Sequence, residues 1–432
     1  PSVEAGPSEP TTQQKPPAPA SGTPRAGSGG FQLSTFRSLR YRDYRLLFFS
    51  IMFTSAGQWM EQIALSWMAY DMTNSPFMLG AINGMRAIPF LILGPWAGVA
   101  ADRMSRKKLM ILSQAWVMVL TGIMAFLILT GLVEVWHLFA FTFFNGVGWC
   151  FTQPVRQTLI PNLVPRADLM NAVALQSSAF NSTRIIGPTI AGILLAALGP
   201  GWVFGIKFFL YVFILSLLAL MQVPPLPAVA HRPSPWGSLL EGFRYIGTSP
   251  TVLWLIILAL IPMMFAMPVQ SLMPVFARDV LEAGPKGYGI LVSFMGAGAL
   301  AGTLIVASLS DFRRKGLVLL LSMCALGIVL ILFSQSAWMP LSLFLGIFVG
   351  GFQMTYMSLN NTLLHMNMTD DVRGRVMSIY MLDQGLAPLG SLFAGTVANF
   401  FGAPLAVSLM GLVCLTLALA SLVKVPHIRQ LA

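Results

Sequence analysis

Ionisable and metal-binding side chains are scarce in this sequence of 432 residues. It has 15 acidic residues, 26 basic residues, 4 histidines and 3 cysteines, and charged residues make up only 9% of the chain. The cysteines, Cys150, Cys324 and Cys414, lie far apart in separate apolar runs. This is unlike a disulfide framework or a Cys-x-x-Cys metal site. We therefore expect no metal site and no catalytic residues.

A Gly-Lys dipeptide is also absent from the sequence. The phosphate-binding P-loop needs this dipeptide because its lysine reaches the phosphates of the nucleotide. The absence argues against a pump driven by ATP through a P-loop. We expect no cofactor, and a proton gradient as the energy source.

Apolar sequence, by contrast, is abundant. Hydrophobic residues make up 56% of the chain, and the mean hydropathy is +0.74. A helix of about 20 apolar residues crosses the hydrocarbon core of a bilayer. We predict an all-α membrane protein with twelve transmembrane spans, at 46–70, 77–101, 108–131, 136–157, 170–198, 202–223, 251–275, 287–310, 316–336, 338–363, 374–400 and 402–424.

The formal net charge of +11 follows from an uneven distribution of Lys and Arg. These residues concentrate in the N-terminal arm and in the loops at 102–107, 158–169, 311–315 and 364–373. Basic residues favour the cytoplasmic side of a membrane, where they face anionic lipid. We predict a multi-pass protein of a bacterial cell membrane with both termini in the cytoplasm, and no nucleic-acid partner.

The Pro-rich and Gly-rich segments indicate the domain boundaries. Residues 1–30 hold seven prolines and five glycines, and residues 224–236 hold five prolines. Such composition does not bury a core and is typical of tails and linkers. The predicted organisation is a disordered cytoplasmic tail, a six-helix bundle, a cytoplasmic linker with an amphipathic helix, a second six-helix bundle and a short tail, over residues 1–35, 36–223, 224–250, 251–424 and 425–432.

The two halves of the chain repeat one another. Gly80 and Asp102 recur 209 residues later, and three further glycines recur 203 residues later. The pairs are Gly80 with Gly289, Asp102 with Asp311, Gly187 with Gly390, Gly192 with Gly395 and Gly199 with Gly402. Parallel repeats of this kind are found in secondary transporters.

The charged loop after span two resembles the loop signature of the major facilitator superfamily. Its residues are Gly98, Asp102, Arg103, Arg106 and Lys107, with a degenerate copy at Asp311, Arg313 and Arg314. The resemblance covers residues 36–424 and implies two pseudo-symmetric six-helix bundles. It also supports the hypothesis of a cytoplasmic latch from this loop to span eleven, where Arg373 and Arg375 are candidate partners. The alternative is a positive-inside flank that only keeps the loop in water.

Two further segments narrow the resemblance. RIIGPTIAG, with Gly187, Pro188 and Gly192, looks like the Gly-Pro signature of the antiporter branches. QWMEQIALSWMAYDMT and QPVRQTLIPNLVPRADLMNA resemble the branch of enterobactin exporters and macrolide efflux proteins. The resemblance implies export of the drug/proton antiporter type, although Thr142 stands where many such antiporters have an arginine in span four.

Five charged residues fall inside the predicted spans. A charge near the bilayer centre costs about 2.5–3.5 kcal/mol on insertion scales, so each needs a partner or a water-filled cavity. The residues are Glu61, Arg86, Arg184, Lys207 and Asp383. Glu61 and Arg86 lie at similar depth, which predicts either a proton-coupling site or a static ion pair. Asp383 is the second candidate for a proton carrier.

Polar side chains at helical spacing predict a central cavity with a few polar contacts. The candidates are Gln58, Gln62, Asn181, Tyr356, Asn360, Asn361, Tyr380 and Gln384. We expect a monomeric, proton-coupled exporter of a small amphipathic molecule such as a siderophore or a drug, working by alternating access. A lysolipid or other lipid-like substrate stays open as an alternative, as does a receptor or channel that transports nothing actively.

Overall fold

Helices make up nearly all of the chain that the computed structural model describes. The described residues are 34–89, 91–93, 96, 104–223, 235–308, 312–369, 372, 375–377, 379–380 and 387–431. No β-strand occurs among them. The tail predicted at residues 1–35 falls almost entirely outside these ranges.

The N-terminal half begins with a 3₁₀ turn over Ser34–Arg40. Its helices are α1 Arg42–Thr73, α2 Pro76–Met85, α3 Arg106–Leu129, α4 Val135–Leu163 and α5 Leu169–Leu220. Serine side chains cap two of the starts, because Ser75 accepts from the amide of Met78 and Ser105 from that of Lys108. Such caps satisfy amides that have no partner within the helix.

The C-terminal half follows the linker. Its helices are α6 Pro235–Thr248, α7 Pro250–Phe265, α8 Gly284–Ser308, α9 Lys315–Ser334, α10 Met339–Met366, α11 Ala387–Phe401 and α12 Ala403–Lys424. Helix α6 covers the segment for which the sequence predicts an amphipathic helix.

The membrane prediction is confirmed. In the part of the chain that is described, eight helical segments are long and apolar enough to cross a bilayer. Helix α1, with 32 residues, is also long enough. It carries the predicted polar stripe, which lowers its average hydropathy. The count of twelve spans stays a prediction.

Two glycines end corresponding spans in the two halves. The predicted spans at 170–198 and 202–223 form one continuous element, α5, broken at Gly199, where φ is +78° and ψ is 170°. Gly402 lies before α12 with φ +83° and ψ 154°. Positive φ is readily available only to glycine. The repeat detected in the sequence is therefore a repeat of backbone conformation at these positions.

Span seven departs from the predicted continuous helix at 251–275. Helix α7 ends at Phe265 and is followed by a 3₁₀ segment Met267–Leu272, a helical turn Met273–Val275 and a π-helical turn Phe276–Val280. Pro268 and Pro274 lack the amide that a regular helix requires, so the hydrogen-bond pattern changes at each of them.

The two halves touch through four repeated glycines. Helix α2 packs on α11, and α5 packs on α8. A Cβ on Gly80 would lie 3.1 Å from the Cα of Gly395, and a Cβ on Gly192 would lie 2.9 Å from the Cα of Gly289. Small residues let helix backbones approach closely in membranes, where the hydrophobic effect does not drive helices together.

All four glycines lie near the loops at 74–75, 199–201, 282–284 and 402, at what we call the distal end. Polar contacts join the halves there as well. The Tyr70 hydroxyl donates to a carboxylate oxygen of Asp279, and Arg278 lies 3.4 Å from a carboxylate oxygen of Asp71. Tyr70 and Asp279 are 209 residues apart, the offset of the repeat. Equivalent helix ends therefore meet at the distal end.

At the opposite end, which we call the arm end, the 3₁₀ turn is bound to the loop before α5. The guanidinium groups of Arg37 and Arg40 lie 3.1 and 3.0 Å from the two carboxylate oxygens of Asp168. The Tyr41 hydroxyl donates to the same carboxylate at 2.6 Å. Asp168 is therefore the anchor of the arm.

Replacing Gly289 with Ala should destabilise the protein, because the added methyl group would meet the backbone of α5. Overpacking of this kind costs about 1–3 kcal/mol. The matched control is Gly346→Ala, where the nearest atom to a Cβ is the Met295 side chain at 3.4 Å. Thermal unfolding in detergent should show a lower Tm for Gly289→Ala only. Equal Tm values would contradict the close approach of α5 and α8.

Replacing Asp168 with Asn should release the arm, because Arg37 and Arg40 lose their carboxylate. Hydrogen–deuterium exchange of residues 34–41 should then be several-fold faster. Glu282→Gln removes one exposed acidic charge elsewhere and should leave this exchange unchanged. Unchanged exchange in Asp168→Asn would show that the charged contact does not hold the arm.

Candidate functional site

A buried ion cluster surrounds Glu61 in the middle of α1. The Glu61 side chain is 4% exposed, and the side chain of Lys207 on α5 is 0% exposed. The Lys207 ammonium donates to Oε2 of Glu61. Oε1 accepts from Arg86 at 3.3 Å and from the Asn145 amide at 2.5 Å. One carboxylate is thus bound by two cations and one amide.

A glycine leaves space for the Lys207 side chain, and two aromatic rings flank its ammonium group. A Cβ on Gly57, one helical turn before Glu61, would lie 3.4 Å from Cγ of Lys207. The Lys207 ammonium lies 5.7 Å from the ring centroid of Phe141 and 5.1 Å from that of Tyr211. Aromatic faces attract a cation at such distances. The rings of Phe141 and Tyr211 therefore add a favourable interaction with the Lys207 ammonium to the contact with Glu61.

Glu61 and Arg86 lie in contact, as their similar depth in the sequence predicts. The alternative of a static ion pair named only these two charges and did not include Lys207. Lys207 is the more deeply buried partner. Breaking a buried ion pair by removing one member typically costs about 3–5 kcal/mol, because the other charge stays buried and unpaired. Lys207 and Arg86 therefore both depend on the negative charge of Glu61 as their ion-pair partner.

Two cavities adjoin this cluster. A cavity of about 210 Å³ within the N-terminal half is lined by Gln58, Gln62, Glu61 and Arg86. A central cavity of about 520 Å³ lies between the halves. Its polar lining includes Gln62, Arg86 and Arg184 from the N-terminal half and Gln270, Ser271 and Ser391 from the C-terminal half. Of the predicted cavity residues, Gln58 lines the smaller cavity and Gln62 lines both.

The other predicted cavity residues are placed differently. The Asn181 amide donates to the carbonyl of Ser177, and Asn361 is exposed. Asn360 is fully buried, and neither polar atom of its amide has a hydrogen-bond partner among the described residues. Tyr356 and Tyr380 line a small pocket of about 30 Å³ beside α7. Gln384 and Asp383 lie outside the described residues.

The Gly-Pro segment of α5 has a steric role. A Cβ on Gly187 would lie 3.0 Å from Cβ of Trp59, a residue of the central cavity wall. The carbonyl of Pro188 and the backbone of Gly192 both face Gly289 of α8. The segment therefore lets α5 approach α1 on one side and α8 on the other.

The latch motif is described only in part. Gly98, Asp102, Arg103, Asp311 and Arg373 lie outside the described residues. Arg106 is the first residue of α3, and the Lys107 ammonium donates to the carbonyl of Ala219 at 2.7 Å. Arg313 and Arg314 are exposed, and Arg375 forms an ion pair with Glu241 at 2.8 Å. The latch hypothesis stays a prediction.

From the sequence, Lys207 is predicted as an intramembrane charge but not as a partner of Glu61, and Asn145 is not predicted as part of the site. The signal for Lys207 was a lone lysine in the apolar run FGIKFF. No group of His, Cys, Asp or Glu that would hold a metal ion is found in the described ranges.

Comparison with known proteins gives the family. The model of the major facilitator family described as transmembrane secretion effector matches residues 33–432. The chain belongs to this family. Proteins of this family are transporters, and the protein is therefore not an enzyme.

Its relatives are transporters of several kinds. The chain is 27% identical to the staphyloferrin A transporter of Staphylococcus aureus, over 84% of this chain and 91% of the relative. It is 24% identical to the multidrug efflux pump Tap of Mycolicibacterium fortuitum, over 89% and 96%. It is 32% identical to the enterobactin exporter EntS of Shigella boydii, over 58% and 60%. The resemblance noted in the sequence to the exporter and efflux branch is confirmed.

Solved structures show the same fold. A point mutant of the nucleoside transporter NupG superposes with a TM-score of 0.73 at 13% identity, covering 88% of this chain and 99% of that one. A bacterial homologue of the lysosomal transporter Spinster, solved in an inward-facing conformation, gives 0.72 at 16% identity, covering 90% and 97%. The predicted major facilitator fold is confirmed.

Replacing Glu61 with Gln should lower the stability of this family member by about 3–5 kcal/mol, because Lys207 and Arg86 would be left without a carboxylate. The double variant Glu61→Gln, Lys207→Met removes one charge of each sign and should recover most of that loss. Unfolding of both variants in detergent measures the difference.

Glu241→Gln is the matched control. Glu241 is 60% exposed and pairs with Arg375. An exposed pair contributes only about 0–1 kcal/mol, so its loss should have little effect. If Glu61→Gln were as stable as Glu241→Gln, the cluster would not be held by charge.

Proposed function

We propose that this protein is a proton-coupled exporter of a small amphipathic molecule, such as a siderophore or a drug, that works by alternating access. It is a monomer without a cofactor in a bacterial cell membrane, with lipid around it and no nucleic-acid partner. The observation that carries the proposal is the central cavity between two repeated halves that meet at one end through paired glycines.

The arrangement at the distal end supports alternating access. Two helix pairs, α2 with α11 and α5 with α8, meet there at glycines. Opening of this end would separate the glycine contacts together with the Tyr70–Asp279 hydrogen bond and the Arg278–Asp71 ion pair. Rocking of one half against the other around a fixed site is the usual motion of such repeats.

The proposed orientation places the arm end in the cytoplasm. The 3₁₀ turn and the start of α1 carry Arg37, Arg40, Arg42 and Arg45. Basic residues near the ends of spans favour the cytoplasmic side. The glycine contacts then close the periplasmic side of the cavity.

Glu61 is the proposed proton site. Its carboxylate is bound to Arg86, which also lines the central cavity. When a proton neutralises Glu61, the guanidinium of Arg86 loses its partner and is free to turn toward the cavity. Proton binding and cavity occupancy are thereby linked through one side chain, with Asp383 as the second candidate carrier.

The energetics are sufficient for active export. One charge that moves through 100 mV supplies about 2.3 kcal/mol, and a tenfold gradient costs about 1.4 kcal/mol. One proton per cycle would support about fiftyfold accumulation before any pH gradient is added.

The test uses purified protein in liposomes with an imposed pH gradient. The probes are erythromycin, rhodamine 123 and fluorescein, which differ in charge and shape. The wild type should move at least one of them against its gradient, and collapse of the pH gradient should stop the movement. Failure to move any probe in response to the gradient would contradict proton-coupled export of such molecules.

The double variant Glu61→Gln, Lys207→Met tests the proton site. It should lose pH-driven transport but keep exchange of labelled for unlabelled probe, because exchange needs no net proton movement. Glu241→Gln should keep both. A double variant that still responds to the pH gradient would exclude Glu61 as the coupling residue.

A further inference from the structure

The charge on the wall of the central cavity is one-sided. In the part of the chain that is described, the residues that line it include Arg86 and Arg184 and no Asp or Glu. Glu61 borders only the adjoining smaller cavity. The described walls of the central cavity therefore present cationic groups to whatever occupies it.

Glu61 neutralises only part of this charge. Its two oxygens already accept from Lys207 and Arg86. Arg184 has no acidic partner among the described residues, and Asp383 lies outside them. Three cations thus face one carboxylate at a depth where an uncompensated charge is costly.

Arg184 lies at the central cavity, where it can contact a ligand, and also at the interface between the two halves. It lies on α5 one turn before Pro188, and it lines the cavity. A Cβ on Gly296 of α8 would lie 2.8 Å from the carbonyl oxygen of Arg184 and 3.5 Å from its Cγ. A ligand bound to this guanidinium is therefore next to the contact between the halves.

The rest of the wall suits an apolar ligand body. Trp59, Trp149 and Phe180 line one side, and Met267 and Met357 line the other. The volume of about 520 Å³ is typical of pockets for drug-sized molecules. Guanidinium groups bind planar carboxylates with two parallel hydrogen bonds.

We propose that the substrate is an amphipathic organic anion whose anionic group, a carboxylate or a group of similar chemistry, binds Arg184 with Arg86 nearby, while its aromatic or aliphatic body lies against the tryptophans and methionines. This inference rests on the proposed transport function and narrows it, because a cationic drug would meet like charge in the same cavity.

The test compares two dyes that share a xanthene ring system and differ in charge. Fluorescein is an anion at neutral pH and rhodamine 123 is a cation. Fluorescence anisotropy measures their binding to the protein in nanodiscs of phosphatidylcholine, a lipid without net charge. The wild type should bind fluorescein about tenfold or more tightly than rhodamine 123. Rhodamine 123 bound as tightly, or no binding of fluorescein, would overturn the proposal.

Variants locate the binding charge. Arg184→Gln should weaken fluorescein binding about tenfold or more, and Arg184→Lys should weaken it less, because lysine keeps the charge and loses the planar fork. Arg166→Gln removes one exposed positive charge and should leave binding unchanged. Equal weakening by Arg184→Gln and Arg166→Gln would show attraction to the surface only, and would overturn the proposal. The two-dye comparison on the wild type needs no variant to fold.

Flux measurements separate this inference from the proposed function. Fluorescein that binds at Arg184 but is not moved across liposomes would support the anion site and contradict transport of this probe. Rhodamine 123 that is moved when fluorescein is not would support export and overturn the anionic substrate class.

Discussion

The carboxylate of Glu61, on α1, connects its own helix to three other parts of the N-terminal half, in a region where buried charge is costly. It binds Lys207 of α5, Arg86 after α2 and Asn145 of α4. A buried cation is tolerated only with a partner, so the rotation of each helix about its axis is tied to this contact. That alignment also shapes the central cavity, because Arg86 belongs both to the ion cluster around Glu61 and to the cavity wall.

The contact between the halves obeys a different constraint. Lipid is as apolar as the helix surfaces, so close packing and polar contacts hold membrane helices together. The chain meets this need with glycines at repeated positions, which bring α2 to α11 and α5 to α8. Polar contacts are added at the helix ends, where Tyr70 meets Asp279, and within the contact of α5 with α8, where the Thr189 hydroxyl donates to Ser293 at 2.7 Å. The described interface thus combines close glycine packing with a few specific hydrogen bonds.

Much of the fold follows from the sequence. Long apolar runs predict the helices, and the sequence repeat pairs Gly199 with Gly402, two positions at which the structure has positive φ. The 3₁₀ and π turns after Phe265 were not predicted as such, because apolar composition does not distinguish them from an α-helix. The prolines at 268 and 274 were the available signal. At the site, Gln58 and Gln62 were found from helical spacing alone, since a polar stripe on an apolar helix avoids lipid.

The sequence by itself determined that this chain enters a membrane as helices in two repeated halves, and which polar residues lie within them. Those properties depend on local composition and spacing, because water and lipid act on each segment according to its own polarity. Only the tertiary structure decided that Lys207 belongs to Glu61, and that Arg184 faces the cavity while Asn361 is exposed. The physical reason is that spacing fixes which residues share one face of a helix. The direction in which that face points is set by the packing of several helices at once.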